Sequence, residues 1–364
     1  MPARDRGSSV GSTTDESEKR MRRTPATALV VALILATAAC GGDQEEGAED
    51  RAATVSAKPS PSPQPKPTPA ISTRGAQDAL KRYLSSISQA NAKLDPARAA
   101  KIETGSALQI HSAQYRVYRK NDLRYLPVKY VGAVGAAPLS AGYPKWFFTA
   151  ATDRGSEPAT RDFLLFVQAR SGAPWHVTYA PFSNRATGAL APGVDVADFP
   201  AVVAPGDTRL QTPPGKVAAV LADAVTRGGK SPSARLFAQD DNFKTVRGKI
   251  VDNRSAYTDN DWAGTSRAVA APTPVYAVRT KSGGALVWFG LDLLHSYRND
   301  GDTNMVWDTE SAGDMQRGFG LPSEVTSSIT RQERYELVAY IPPKGKGSIR
   351  LVASRWFPLS VRGR

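Results

Sequence analysis

The chain has 364 residues, 22% of them charged, and a formal net charge of +13. Its single cysteine excludes an intramolecular disulfide and a cysteine-built zinc site. The basic residues are spread along the chain without a Lys/Arg block, whereas nucleic-acid faces concentrate their charge, so nucleic acid is not an expected partner.

Residues 1–20 are polar and lack apolar periodicity, and the chain reads as starting at Met21. From there three parts of a secretory signal follow in order. Arg22 and Arg23 are the positive region, Ala26 to Ala36 is an apolar run too short to span a bilayer comfortably, and Thr37, Ala38 and Ala39 are the small residues a signal peptidase requires. Cys40 stands at the cleavage point. The stretch resembles the lipobox of bacterial lipoproteins, with Thr37 where Leu is commoner. That resemblance implies that residues 21–39 are removed and that Cys40 is acylated, inserted into membrane lipid on the extracytoplasmic face. The alternative for Cys40 is an ordinary cysteine beside a simple secretory cleavage site.

Residues 40–73 read as a tether, acidic at first and then Pro-rich, with Pro59, Pro61, Pro63, Pro65, Pro67 and Pro69. Such a segment buries no core, and its Pro-rich part favours polyproline II, a semi-rigid spacer that alone spans roughly 35–40 Å. The first domain is expected over 74–183. Leu80, Tyr83, Leu84, Ile87 and Leu94 fall at helical spacing, and Asp95-Pro96 reads as a cap followed by proline at the first helical position. Gly105 is expected to stop that short helix, with another helix over Leu108–Tyr115. Strands are expected at Val128–Val134, Lys145–Thr152, Asp162–Ala169 and Trp175–Phe182. Residues 184–212 read as a connector, with a strand around Ala201–Ala204.

The second domain, 213–364, repeats the plan: helices from Pro213 and over Asp241–Asp252, then strands at Arg267–Thr280, Ala285–Tyr297, Arg334–Ile341 and Ser348–Leu359. Trp146-Phe147 corresponds to Trp288-Phe289, and the closing motif His176–Ser183 to Ala353–Ser360, which suggests duplication. The expected fold class is therefore α+β: two tandem domains, each with helices followed by a four-stranded curved antiparallel sheet. This order resembles the nuclear-transport-factor-2-like or cystatin-like folds. The layout, with Arg82-Tyr83-Leu84, Leu94-Asp95-Pro96 and Glu103-Thr104-Gly105 at its opening, also resembles uncharacterised lipoproteins of actinobacteria, and that resemblance brings no molecular activity.

Motifs that carry chemistry are few. His111, His176 and His295 are far apart in sequence, and no HExxH, nucleophile elbow, phosphate loop or dinucleotide fingerprint occurs. No cofactor is expected. Asp300, Asp302, Asn304 and Asp308 begin with calcium-loop spacing, but Met305 stands where glycine is needed and Ser311 where a bidentate Glu is needed. They sit in an acidic insertion, Asn299–Ser327, that also reads as a solvated loop. Trp146, Phe148, Trp175, Trp288 and Trp356 lie in predicted strands, as core or as the lining of an apolar ligand cavity. The expected function is a lipid-anchored, non-catalytic binding or scaffolding module that meets anionic envelope polymers or an envelope protein. The alternative is an envelope hydrolase or isomerase using a cone-shaped cavity.

Overall fold

The computed structural model describes residues 22–23, 66–125, 127–155, 159–184, 195–306 and 310–364. Thr37, Ala38, Ala39, Cys40 and Asp308 lie outside the described residues. The chain is mixed α+β with a mostly antiparallel sheet and six α-helices among those residues.

Packing contacts are already present before Arg74, the expected start of the first domain. Ala70 is buried and its N–H donates to the Pro138 carbonyl at 3.1 Å. Helix α1 spans Thr73–Lys93; Ser72 caps it by accepting the Gly75 N–H, and Leu80, Tyr83 and Ile87 form its buried face. Helix α2, Pro96–Ala99, is capped by Asp95, whose Oδ1 accepts the Arg98 N–H at 3.0 Å. Gly105 does not stop a helix. It opens α3, Gly105–Lys120, at φ +55°, so the helix is longer at both ends than expected. The glycine is needed for close approach: a Cβ there would lie 2.6 Å from Thr178 Oγ1, on the strand against which α3 starts.

Strands of the first half are β1 (Tyr130–Ala136), β2 (Lys145–Asp153), β3 (Thr160–Gln168), β4 (His176–Tyr179) and β5 (Phe182–Ser183). Helices α4 (Val217–Arg227) and α5 (Asp241–Thr258) open the second half. Its strands are β6 (Trp262–Ala270), β7 (Tyr276–Arg279), β8 (Ala285–Asn299), β9 (Thr303–Val306), β10 (Glu324–Val325), β11 (Ser328–Ile341) and β12 (Arg350–Gly363), with α6 (Glu310–Phe319) between β9 and β10. The single strand expected over Arg267–Thr280 is two. Pro272 and Pro274 lack the N–H a ladder needs, and the chain leaves the sheet there and returns as β7.

What reads in sequence as two domains shares one ten-stranded sheet. Its order is β7-β8-β11-β12-β5-β3-β2-β1, with β4 also paired to β3 and β6 to β8. The join is the pair Ser354–Phe182, which places the two matching closing motifs side by side. Side-chain alternation then assigns three apolar layers. Phe147, Leu164, Phe166 and Val177 face α1 and α3. Val287, Phe289, Leu337 and Ile341 face α4 and α5. Between the two halves of the sheet lie Trp146, Phe148, Phe163 and Leu165 with Leu286, Trp288, Val338 and Val352. The sheet is thus covered on both faces, which is why β2 and β8 read as almost continuous apolar runs.

Two features close the margins. The outer edge of β6 is covered by helices: Thr226 Oγ1 accepts the Ala268 N–H at 2.8 Å, and Arg254 donates to the Ser266 carbonyl at 3.2 Å. The insertion expected as a solvated loop carries α6 and two short strands. It docks on α3, with Asn121 Nδ2 donating to the Asp314 carbonyl at 2.7 Å, and on β6, where Trp262 Nε1 donates to the Thr303 carbonyl at 2.8 Å.

Candidate functional site

A polar layer interrupts the apolar packing where α3 crosses the strands of the second half. Register places Asp292 of β8 opposite Arg334 of β11, and Glu336 of β11 opposite Arg355 of β12. Arg334 grips both carboxylate oxygens of Asp292, with both residues almost fully buried, and its Nη1 donates to Gln109 Oε1 of α3 at 2.7 Å. Glu336 is 0% exposed and its Oε2 accepts the Ala180 N–H at 3.0 Å. The Ser106 hydroxyl of α3 lies beside it. Burial raises the Glu336 carboxyl to about 7, and the neighbouring Arg355 guanidinium opposes the rise.

A third carboxylate completes the layer from the helical side. Glu103 Oε1 accepts the Tyr83 hydroxyl at 2.7 Å, and His111 Nδ1 lies 2.8 and 2.7 Å from its two oxygens. Glu103 is 1% and His111 7% exposed. Desolvation and then Arg355 lower the His111 pKa, while Glu103 acts to raise it. Tyr115 stacks on the imidazole with centroids 5.8 Å apart and donates to Asn91 Oδ1 at 2.6 Å. Arg355 and Tyr125 both donate to Gln114 Oε1, at 2.7 and 2.8 Å. The arrangement ties α1, α3 and the α2–α3 turn to the sheet of the second half. Chemically it can hold or release one proton at Glu336 near neutral pH. Its carboxylates and imidazole are enclosed and engaged in internal bonds, which is the geometry of a clamp between the halves.

A second buried set lies under α5. Ser266 Oγ is 2.7 Å from His295 Nδ1 and 2.6 Å from the Tyr297 hydroxyl. Arg331 Nε lies 2.5 Å from Glu333, which is fully buried. Burial, then the Arg331 charge, drive the His295 pKa down to about 3. A Ser–His contact of this kind can activate a nucleophile, but here serine and histidine are both enclosed by the sheet and α5.

The residues singled out from sequence are placed as follows. Trp146, Phe148 and Trp288 are buried in the layer between the sheet halves, with Phe148 and Trp288 centroids 4.7 Å apart. Trp356 stacks on Tyr335 at 6.1 Å beneath Lys249. Trp175 is half-buried against the first core, with its ring at a steep angle to Phe147 and centroids 4.9 Å apart, and it also lines an open groove. Asp300 is held by Arg298 at 2.8 Å and Asn304 donates to Glu324 at 2.8 Å, while Asp302 is exposed. Among the described residues no group of three His, Cys, Asp or Glu side chains gathers as a metal site. Sequence reasoning passed over Glu103, Asp292, Arg334, Glu336 and Arg355. The available signal was a charge inside an apolar strand run, as in Leu291-Asp292-Leu293 and Tyr335-Glu336-Leu337.

Among the described residues no helix is long and apolar enough to cross a membrane. Neither a curated protein nor a solved structure matches this chain. A family described as "Domain of unknown function (DUF8094)" matches residues 67–356, and by that match the chain belongs to this family.

Proposed function

We propose that the protein is a lipid-anchored extracytoplasmic module that binds or scaffolds at the cell envelope without catalysis. The observation that carries the reading is the ordered signal ending in Thr37-Ala38-Ala39-Cys40, followed by a Pro-rich spacer of roughly 35 Å. It fits the lipoproteins of actinobacteria that the layout resembles. The matched region starts at residue 67, among the last prolines of the spacer, so most of the tether lies ahead of it, which supports a division into tether and folded part. The helix-then-strand order of each half supports a tandem reading on the nuclear-transport-factor-2-like or cystatin-like plan. Against the enzyme alternative stands the burial of Glu103, His111, Glu336 and His295, each within the packed interior. One acyl chain alone binds membranes marginally, and a lipoprotein cysteine carries more than one.

The test is metabolic labelling with an alkyne-bearing palmitate analogue, followed by membrane fractionation, in the wild type and in Cys40→Ser. Label and membrane retention that are both lost in Cys40→Ser support the anchor. An unlabelled wild type, or a Cys40→Ser chain that stays with the membrane unchanged, refutes it.

A further inference from the structure

A groove of about 450 Å³ runs between α1, the residues just after α2 and the β3–β4 turn. Arg82, Ser85 and Ser86 stand at positions i, i+3 and i+4 of α1, so they share one face of the helix. Lys101 comes from the segment after α2, and Trp175 from the turn before β4. Tyr83 closes the floor, its hydroxyl turned inward to Glu103. Among the described residues no carboxylate lines the groove.

Some surface cations are neutralised by a neighbouring carboxylate and others are not, and those of the groove are of the second kind. Arg98, Arg209, Arg227, Arg279, Arg298 and Arg317 each meet a carboxylate. Arg82 and Lys101 form no ion pair with a described residue, and both are exposed. The hydroxyls of Ser85 and Ser86 likewise have no described hydrogen-bond partner. Two cations from separate elements, two hydroxyls and one indole therefore line a single concavity.

We infer that this groove binds an anionic saccharide. A sugar ring presents C–H groups to an aromatic face and hydroxyls to the serines. A ring carboxylate or phosphate then falls between a guanidinium, which bonds such groups bidentately, and an ammonium. The volume lies within the range of small-ligand sites. The inference rests on the envelope-binding reading for the source of the ligand, but the geometry of the groove does not depend on Cys40.

The experiment is isothermal titration of the mature full-length protein, purified in detergent, with hexagalacturonate. Chitohexaose serves as the neutral saccharide and glycerol phosphate as an anion without a sugar ring. The expected result is saturable binding of hexagalacturonate with Kd of about 1 mM or tighter. Arg82→Gln with Lys101→Gln should weaken it about tenfold, as loss of two charge-assisted contacts requires. Trp175→Ala should weaken it about fivefold. Arg235→Gln with Lys244→Gln, an equal charge change at exposed sites in the other half, should leave Kd within about twofold. The exposed Arg82 and Lys101 carry the test if Trp175→Ala fails to fold. Absence of saturation at about 10 mM would overturn the inference, as would equal weakening by the distal pair. Chitohexaose or glycerol phosphate binding as tightly as hexagalacturonate would overturn it as well. A chain that binds in solution but carries no lipid would refute the anchor and leave the groove standing.

Discussion

Replacing Glu336 by Gln keeps the shape of the buried side chain and removes its titration. In the folded protein the carboxyl is raised to about 7 from an ordinary 4.5, chiefly by burial. A carboxyl whose folded pKa lies above its unfolded value binds its proton more tightly when folded, so it favours folding at low pH. That contribution is lost as pH rises from about 4.5 through about 7. Each pKa unit corresponds to about 1.4 kcal/mol, so the ionisation of Glu336 lowers stability by up to about 3 kcal/mol between acid and alkaline pH. His295 acts in the opposite sense. Its pKa is depressed from 6.5 to about 3, so stability falls as pH drops below 6.5. Over pH 4.5–6.5 the two groups offset each other and neither is visible in the wild type alone. The difference between E336Q and wild type isolates the glutamate, because every other titrating group is shared. Urea denaturation at half-unit steps from pH 4.5 to 8.5 should show E336Q gaining up to about 3 kcal/mol on the wild type toward alkaline pH. Difference curves flat to within about 0.5 kcal/mol would refute the reasoning, since Glu336 would then ionise in the fold as it does in the unfolded chain.

The complementary variant His295→Gln should flatten the acid limb of the stability profile below pH 6.5, by about 1.4 kcal/mol per pH unit, in the same denaturation series. Phe148→Ala and Trp288→Ala should each cost about 3–5 kcal/mol. Because their centroids lie 4.7 Å apart across the two halves, the double variant should depart from additivity by more than about 0.5 kcal/mol. Additive losses would mean that the halves do not share this layer. Gly105→Ala should lower stability by about 1–3 kcal/mol, because it forces a left-handed φ and a Cβ 2.6 Å from Thr178 Oγ1. A neutral effect in a thermal melt would place the start of α3 elsewhere.

The periodic signals were the legible part of the fold. Leu80, Tyr83 and Ile87 recur at helical spacing because α1 has one buried face, and Asp95-Pro96 marks α2 through the chemistry of its first turn. Strand positions were legible from aromatic and β-branched density, since β2, β3 and β8 are packed on both faces. The joining of the halves was not. A pair such as Ser354–Phe182, or a layer built from Phe148 and Trp288, depends on contacts across more than a hundred residues, and local patterning carries no trace of them. Gly105 was misread because a glycine that ends a helix and one that opens a close approach look alike in sequence. The polar layer was hidden for a related reason. Glu103 and His111 are ordinary residues on a turn and a helix until Glu336 and Arg355 arrive from more than 200 residues away.

The placement of that layer bears on how the two halves hold one arrangement. An apolar face of α3 could slide or rotate over an apolar sheet with little loss, because hydrophobic contact has no direction. The Asp292–Arg334–Gln109 chain has direction: it is satisfied at one helix position and leaves buried charge unpaired at others. Gln114 with Arg355 adds a second fixed point along α3, and Glu336 ties β11 to Ala180, between β4 and β5. Buried ion pairs contribute little net stability compared with apolar packing of the same volume, and breaking one of them is expensive. Their value here is the difference between the registered state and every shifted one. The same clamp steadies Tyr83, which accepts its orientation from Glu103 and forms the floor of the groove beside Arg82 and Trp175. A shift of α3 that broke Glu103 from His111 would therefore be felt at the groove, through one tyrosine shared by the buried network and the surface.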